Sequence, residues 1–388
     1  MRHVWLLAVA QALAACGSGV FVLAGGLLGT GLAPRESLAT LPVSLLVIGI
    51  AAAALPAGAL MRRVGRRAAF VGSALGGTGA LLGAGAAVAA DSFAGFCAAA
   101  FALGFTLAFV QQYRFAAVEL APPGRAGRAV STVMIGTLVA AWAGPALAVA
   151  CRDLWPEHPW AGSFVVVALL NVAAAAVLRV LPLAPPSGPV AEGPARPFAV
   201  VAADPRYRVA VLGGVSAFAV MSFLMTATPI SMHVLHGHDL AATAWVIQSH
   251  LLAMYLPALA SGWFVERLGA IRMMHAGAWA MAGCVAIAAI GGHEVAHYWW
   301  ALVLLGVGWN FLFVGSTTLL TTTYRPAERF AAQSANDFAV FGSQAIASLA
   351  AGALVHRLGW EQLNLAAAPL LALLLLALVL ASRRHAEA

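Results

Sequence analysis

Four side chains in the second half of the chain have types and spacing that could do chemistry. Met221 and Met225 lie four residues apart in "VMSFLMTATPISMHVLHGH" (220–238), so on a helix both thioethers share one face. His250 and Met254, in "HLLAM", repeat that spacing. If the two stretches are consecutive antiparallel helices, Met225 is level with His250 and Met221 with Met254. Three soft sulfurs and one imidazole suit Cu(I) better than a hard cation. Ordinary packing competes with this reading, because methionine is a common core filler and either pair alone is a weak motif. A histidine inside an apolar span is harder to dismiss.

Other residues stand out by type and place. His233, His236 and His238 follow the first pair at the end of its helix and could collect a metal ion; each could equally be a polar loop residue. Asp337, in "SANDFAV", falls about nine residues into an apolar stretch, where a carboxylate is costly unless paired or functional. It is the candidate for proton coupling, with a structural ion pair as the alternative. Gln111, Gln112 and Asn310 are polar groups in apolar stretches, with Gln11 and Cys16 as weaker ones, and the family resemblance given below makes them candidate cavity groups. Arg114 and Glu119 read as an ion pair near one end of their helix.

The elements that must position these residues follow from composition. The 388 residues are 62% hydrophobic and 9% charged, with mean hydropathy +0.90. Soluble domains carry about 25% charged residues, so this is an integral membrane protein. The net charge of +7 does not indicate nucleic acid, because the 21 basic residues are all arginines scattered between apolar runs. Cys16, Cys97, Cys151 and Cys284 are too dispersed for a disulfide framework. Residues 2–16 resemble a lipoprotein signal, but the apolar run continues through "GSGVFVLAGGLLG" to spanning length.

Apolar runs of roughly 20 residues predict an all-α protein of twelve transmembrane helices. The first six fall near 4–28, 38–61, 68–90, 93–117, 129–151 and 161–183. The second six fall near 207–235, 241–265, 271–292, 297–322, 328–355 and 361–382. A proline-rich linker, 184–206, separates a bundle over 1–183 from one over 207–388. With both termini cytoplasmic, 18 arginines fall on inner ends and loops and 3 on outer ones, a strong positive-inside bias. The histidines after Met232 then face outward. No Gly-x-x-x-x-Gly-Lys loop and no nucleophile motif is present, so neither an ATPase nor another enzyme is expected.

The halves repeat each other. "GALMRRVGRR" starts at Gly58 and "GWFVERLGAI" at Gly262, with a third echo, "GALVHRLGW", at Gly352. Repeated six-helix halves mark secondary transporters. The first copy resembles the Gly-x-Leu-x-Asp-Arg-x-Gly-Arg-Arg loop of the major facilitator superfamily. Gly58, Leu60, Arg63, Gly65, Arg66 and Arg67 match it, and Arg62 replaces the acidic residue. The second copy supplies Glu266, Arg267 and Gly269 after Gly262. The resemblance implies the two-bundle fold, alternating access and a gating role for this loop.

The paired MxxxM and HxxxM further resemble the CcoA-like copper importers of that superfamily. They imply copper import across a bacterial inner membrane for cytochrome oxidase assembly, with copper as substrate and no resident cofactor. Met221, Met225, His250 and Met254 would be the ligands. "GWNFLFVGSTTLL" and "RPAERFAAQSANDF" resemble the same branch, which also contains riboflavin transporters. Riboflavin or another small organic solute, held by Gln, Asn and Trp groups, is therefore the alternative. A monomer in the lipid bilayer is expected. A non-transporting receptor or assembly factor is the rival from another class, and it would need neither repeat nor midplane polar groups.

Overall fold

The computed structural model describes residues 1–35, 38, 41–183, 194–290 and 292–386. All regular structure among them is helical. In chain order the helices are α1 Arg2–Leu32, α2 Leu41–Ala89, α3 Phe93–Gln111, α4 Tyr113–Leu120, α5 Ala126–Ala150, α6 Ala161–Arg179 and α7 Phe198–Ala203. There follow α8 Pro205–Pro229, α9 Leu240–Tyr255, α10 Ala258–Leu268, α11 Ala270–Ile290, α12 Val295–Leu320, α13 Arg329–Leu365 and α14 Ala368–Ala386. Nine stretches among the described residues are helical, long and apolar enough to cross a membrane. One of the nine, α2, is two rods meeting at Gly65. The successive rods α9 and α10, and the charged part of α13 that carries Arg329 and Asp337, lie where the sequence predicts the eighth and eleventh spans. Most of the expected linker, 184–193, lies outside the described residues.

Local chemistry sets the helix ends. The Ser92 hydroxyl accepts from Gly95 N–H at 3.1 Å, and the Asp204 and Asp239 carboxylates accept from Arg206 and Ala242 N–H at 2.8 and 2.6 Å. Each satisfies a backbone donor that the first turn leaves unpaired. Past Pro229, α8 widens into a π-helical turn, Ile230–Leu235, which carries Met232 and His233.

The chain forms two compact units, neither of which is a simple sequence half. Unit 1 comprises Met1–Pro122, Thr132–Ala195 and Arg329–Phe338. Its α2 packs on α3 and α6, and α1 packs on α6. Gly104 brings α3 against the first rod of α2 so closely that a Cβ there would strike the Leu46 carbonyl. Phe21, Phe96 and Phe164 fill its core, with centroids 5.1 to 5.7 Å apart. Unit 2 comprises Pro123–Ser131, Arg196–Glu328 and Ala339–Ala388. Here α12 is the central rod, in contact with α8, α9, α10 and α11.

Outside the spans, Arg196 grips Glu328 through Nε–Oε1 and NH2–Oε2, both at 2.7 Å. The guanidinium fork and the backbone donors of Arg325 and Arg196 hold this carboxyl down at about 2, well below the usual carboxylate range.

Candidate functional site

His250 and Met254 sit on α9 and are both buried against α12. His250 Nδ1 lies 2.8 Å from the Leu302 carbonyl, and Asn310 Nδ2 donates to the Met254 carbonyl at 2.8 Å. Gly306 permits this approach, since a Cβ there would come within 2.8 Å of the His250 carbonyl oxygen. With Nδ1–H donating to a carbonyl, Nε2 carries the lone pair. Among the described residues that buried nitrogen has no partner. Met221 is buried on α8 and Met225 is half-buried one turn later. Both α8 and α9 pack on α12 more than on each other. Depth matching from sequence fixes height along the axis and leaves rotation about the axis open, and α12 is the main neighbour of both helices.

An aromatic wall, absent from the sequence reading apart from its general appeal to Trp groups, occupies the same part of unit 2. Trp309 stacks on Phe313 at 5.0 Å and 6°, four residues apart on α12. Phe218 of α8 meets both rings edge-on at 5.2 and 5.6 Å, and Phe341 of α13 closes on Phe218 at 5.3 Å. Tyr255 stands edge-on to Trp309 at 5.7 Å. Trp309 Nε1 and Asn310 Oδ1 are buried and, among the described residues, without hydrogen-bond partners. The signal was the i, i+4 pair in "GWNFLF", which reads as packing until Phe218 is seen to complete it.

The histidines that follow Met232 are partly assembled by the fold. The rings of His236 and His293 lie 3.7 Å apart between centroids, and His293 Nε2 is 3.3 Å from Glu361 Oε1. His236 Nδ1 is 2.8 Å from the Ser231 carbonyl, His238 Nε2 bonds the His293 carbonyl, and His233 Nδ1 is 2.8 Å from the His238 carbonyl. The His236 and His293 rings are tilted by 38° to each other, and the nitrogens named above are spent on backbone carbonyls and Glu361. Among the described residues no three His, Cys, Asp or Glu side chains are grouped to hold a metal ion.

Unit 1 buries charges within its helices. Asp337 accepts from Arg114 NH2, from Gln112 Nε2 at 2.6 Å and from Asn336 Nδ2 at 3.0 Å. Gln111, beside Gln112, is half-buried. Arg114 therefore pairs with Asp337, and the expected Arg114–Glu119 pair does not form. Five residues on one helix put those two side chains about 140° apart. Glu119 instead takes a bidentate grip from the buried Arg66, at 3.0 and 2.7 Å, and Arg66 also donates to Gln333 Oε1 at 2.7 Å.

The loop residues read as a gate occupy matching positions. In unit 1 a Cβ on Gly58 would strike the Ser334 hydroxyl, and Arg63 and Arg67 are exposed beside the buried Gly65. In unit 2 a Cβ on Gly262 would lie 2.7 Å from Arg128 Cα and 2.9 Å from Ser131 Oγ. Glu266 pairs with Arg128 at 2.7 Å, Arg267 lies over the Trp263 ring at 5.0 Å, and Gly269 ends α10. Gly58 and Gly262 are repeat equivalents, and so, nearly, are Ser334 and Ser131.

The family model for the Major Facilitator Superfamily matches residues 7–336 and 209–388. The chain belongs to this superfamily. Within it, the chain is 42% identical over 381 residues to the riboflavin transporter RfnT of Brucella anthropi, covering 98% of this chain and 95% of that protein. Among solved structures of the fold, the human organic anion transporter MFSD10 (TETRAN) matches with TM-score 0.78 at 13% identity, over 97% of this chain and 99% of that one. FucP in its outward conformation matches with TM-score 0.72 at 16% identity, over 96% and 98%. The protein is thus a multi-pass membrane carrier of the secondary-transporter type and not an enzyme, as its sequence predicts. The named relative carries riboflavin, which favours the organic-solute alternative over copper.

Proposed function

We propose that the protein carries riboflavin, or a flat organic solute of that kind, across a bacterial inner membrane by alternating access. It works as a monomer with both termini cytoplasmic. The observation that carries the reading is the aromatic wall on α12, taken beside the riboflavin transporter that is 42% identical over nearly the whole chain. Flat ring systems gain from offset stacking and edge contacts with aromatic side chains. A polar-rimmed ring would also meet the unused Trp309 N–H and the unused Asn310 carbonyl, whose burial without partners is otherwise costly. Uptake of labelled riboflavin into cells unable to make or import it, with and without this protein, tests the proposal. Uptake no greater than in the empty cells refutes it.

Copper remains the second reading, favoured by one observation: the unpartnered Nε2 of His250 is a lone-pair donor within a turn of Met254. Copper accumulation measured in the same cells decides between the two. Asp337 keeps its assignment as the proton-coupling carboxylate, enclosed by Arg114, Gln112 and Asn336. Asp337→Asn should then abolish gradient-driven uptake while counterflow exchange continues. Equal loss of both assigns the group to structure alone.

A further inference from the structure

A cavity of about 400 Å³ opens in unit 2, away from the aromatic wall, where α8 and α11 begin and α14 ends. Arg206, Arg272, Gly269, Leu268, Leu319 and Ser382 line it. Its existence follows from the corner at Gly269. There α10 stops and α11 starts with no intervening loop, and a Cβ on Gly269 would meet nothing within 4 Å. The walls have two characters. Arg206 and Arg272 supply guanidinium donors, whereas Leu268 and Leu319 supply an apolar side.

The charge in the cavity is only lightly neutralised. Arg206 NH2 reaches the Thr322 hydroxyl at 3.3 Å, and the nearby Asp204 spends its carboxylate on the Arg206 backbone N–H at 2.8 Å. Arg272 forms no ion pair among the described residues, and Glu266 is taken by Arg128 at 2.7 Å. Ser382 donates to the Leu378 carbonyl at 2.9 Å and lies 3.3 Å from His275 Nε2. No acidic residue occupies the first turn of α11. Two cations facing a shared space repel each other unless an anion enters it.

The surroundings identify the level. Leu268 is 49% exposed, Trp263 is 43% exposed, and Arg267 lies over the Trp263 ring. Arg, Trp and exposed Leu together mark the headgroup zone of a bilayer, and they fall at the arginine-rich end of the unit. A guanidinium pair with an apolar wall matches a phosphate group that carries a hydrocarbon part.

The geometry points to a phosphate-binding site at this corner, filled by the headgroup of an anionic phospholipid, with Arg206 and Arg272 holding the phosphate and Leu268 and Leu319 lying against the start of its acyl chains. Basic recesses between membrane helices on the cytoplasmic side are suited to such headgroups.

Native mass spectrometry tests this on the full-length protein in detergent, exposed to equal phosphatidylglycerol and phosphatidylcholine. The wild type should retain phosphatidylglycerol preferentially. Arg206→Gln and Arg272→Gln should each lower that preference about fivefold, the size expected for one cation at an anionic surface. Arg206→Lys/Arg272→Lys should keep most of it. A second arm measures thermal stability with inorganic phosphate at constant ionic strength. Stabilisation by phosphate, lost in the Gln variants and without lipid preference, assigns the same site to a soluble phosphate. Equal retention of both lipids by the wild type together with no response to phosphate overturns the proposal, as does full lipid preference in the double Gln variant. Should the Gln variants not fold, displacement of phosphatidylglycerol from the wild type by glycerol phosphate supports the site, and failure to displace it counts against it.

Discussion

The two units use polarity in opposite ways. Unit 1 buries a full ion pair, Arg114–Asp337, inside its helices and seals it with Gln112 and Asn336. Unit 2 keeps its ion pairs at the helix ends, as Arg196–Glu328 and Arg128–Glu266. The buried side chains around α12 are neutral: His250, Asn310, Trp309 and a set of aromatic rings. A buried pair of charges is held by mutual dependence, since either one alone would be unpaired in a low dielectric. A neutral site whose unused donors and acceptors cost about 1–3 kcal/mol each while empty recovers that cost when a ligand pairs them. Under the proposed function, conformational work falls to the charged region and recognition to the neutral one.

The largest expected effect breaks the charged side. Arg114→Met leaves Asp337 buried without its cation and should cost about 3–5 kcal/mol of stability. Arg114→Met/Asp337→Leu should recover most of it. A detergent melt at wild-type temperature for Arg114→Met would show that the pair does not hold unit 1 together. The second prediction concerns the other buried carboxylate. Glu328 is held at about 2 against its ordinary 4.5, so its contribution is complete above about 4.5 and disappears as pH falls towards about 2. Acid unfolding should therefore be shallower over that window in Glu328→Gln than in the wild type, and superimposable curves would count against the grip by Arg196.

Third, the equivalent glycines should be unequal. Gly262→Ala pushes against the Arg128 backbone, while Gly58→Ala first meets a serine side chain that can turn. Overpacking costs about 1–3 kcal/mol, with Gly262→Ala the more damaging in thermal melts. Fourth, Trp309→Phe keeps a ring and removes the N–H. It should melt near wild type and raise the KM for riboflavin uptake roughly two- to tenfold, the worth of one neutral hydrogen bond. An unchanged KM removes that N–H from recognition. Smallest are Met225→Leu and Met254→Leu, which conserve volume and should cost less than about 1.5 kcal/mol. Riboflavin uptake should be unaffected, and loss of copper accumulation in both would restore the sulfur ligands to the centre of the site.

The spans were legible because apolar length is written directly in the sequence, and Asp337 was legible because a carboxylate in such a run must have a reason. Its partner was not. Arg114 and Glu119 are neighbours in sequence, but a helix turns them apart, and the chosen partner lies 223 residues away. Likewise the spacing of Met221, Met225, His250 and Met254 gives heights and not directions, because the packing of α8 and α9 on their neighbours, α12 above all, sets how each helix is turned. The aromatic wall was hidden for a related reason. Trp309 and Phe313 look like filler until Phe218 and Phe341 arrive from other helices.

Gly65, Gly269 and Gly359 close the three echoes of one eight-residue pattern, with φ of 82°, 85° and 71°. Their ψ values of 161°, 154° and −178° put all three in a region open essentially to glycine alone. Each makes a helix stop and restart in another direction with almost no connecting loop. During synthesis, a corner without a loop lets two successive spans enter the bilayer as one hairpin. At Gly65 the turn carries Arg62, Arg63, Arg66 and Arg67, charges that resist crossing. Of the three corners, the one at Gly65 would therefore stay on the arginine-rich side as the chain is threaded into the membrane.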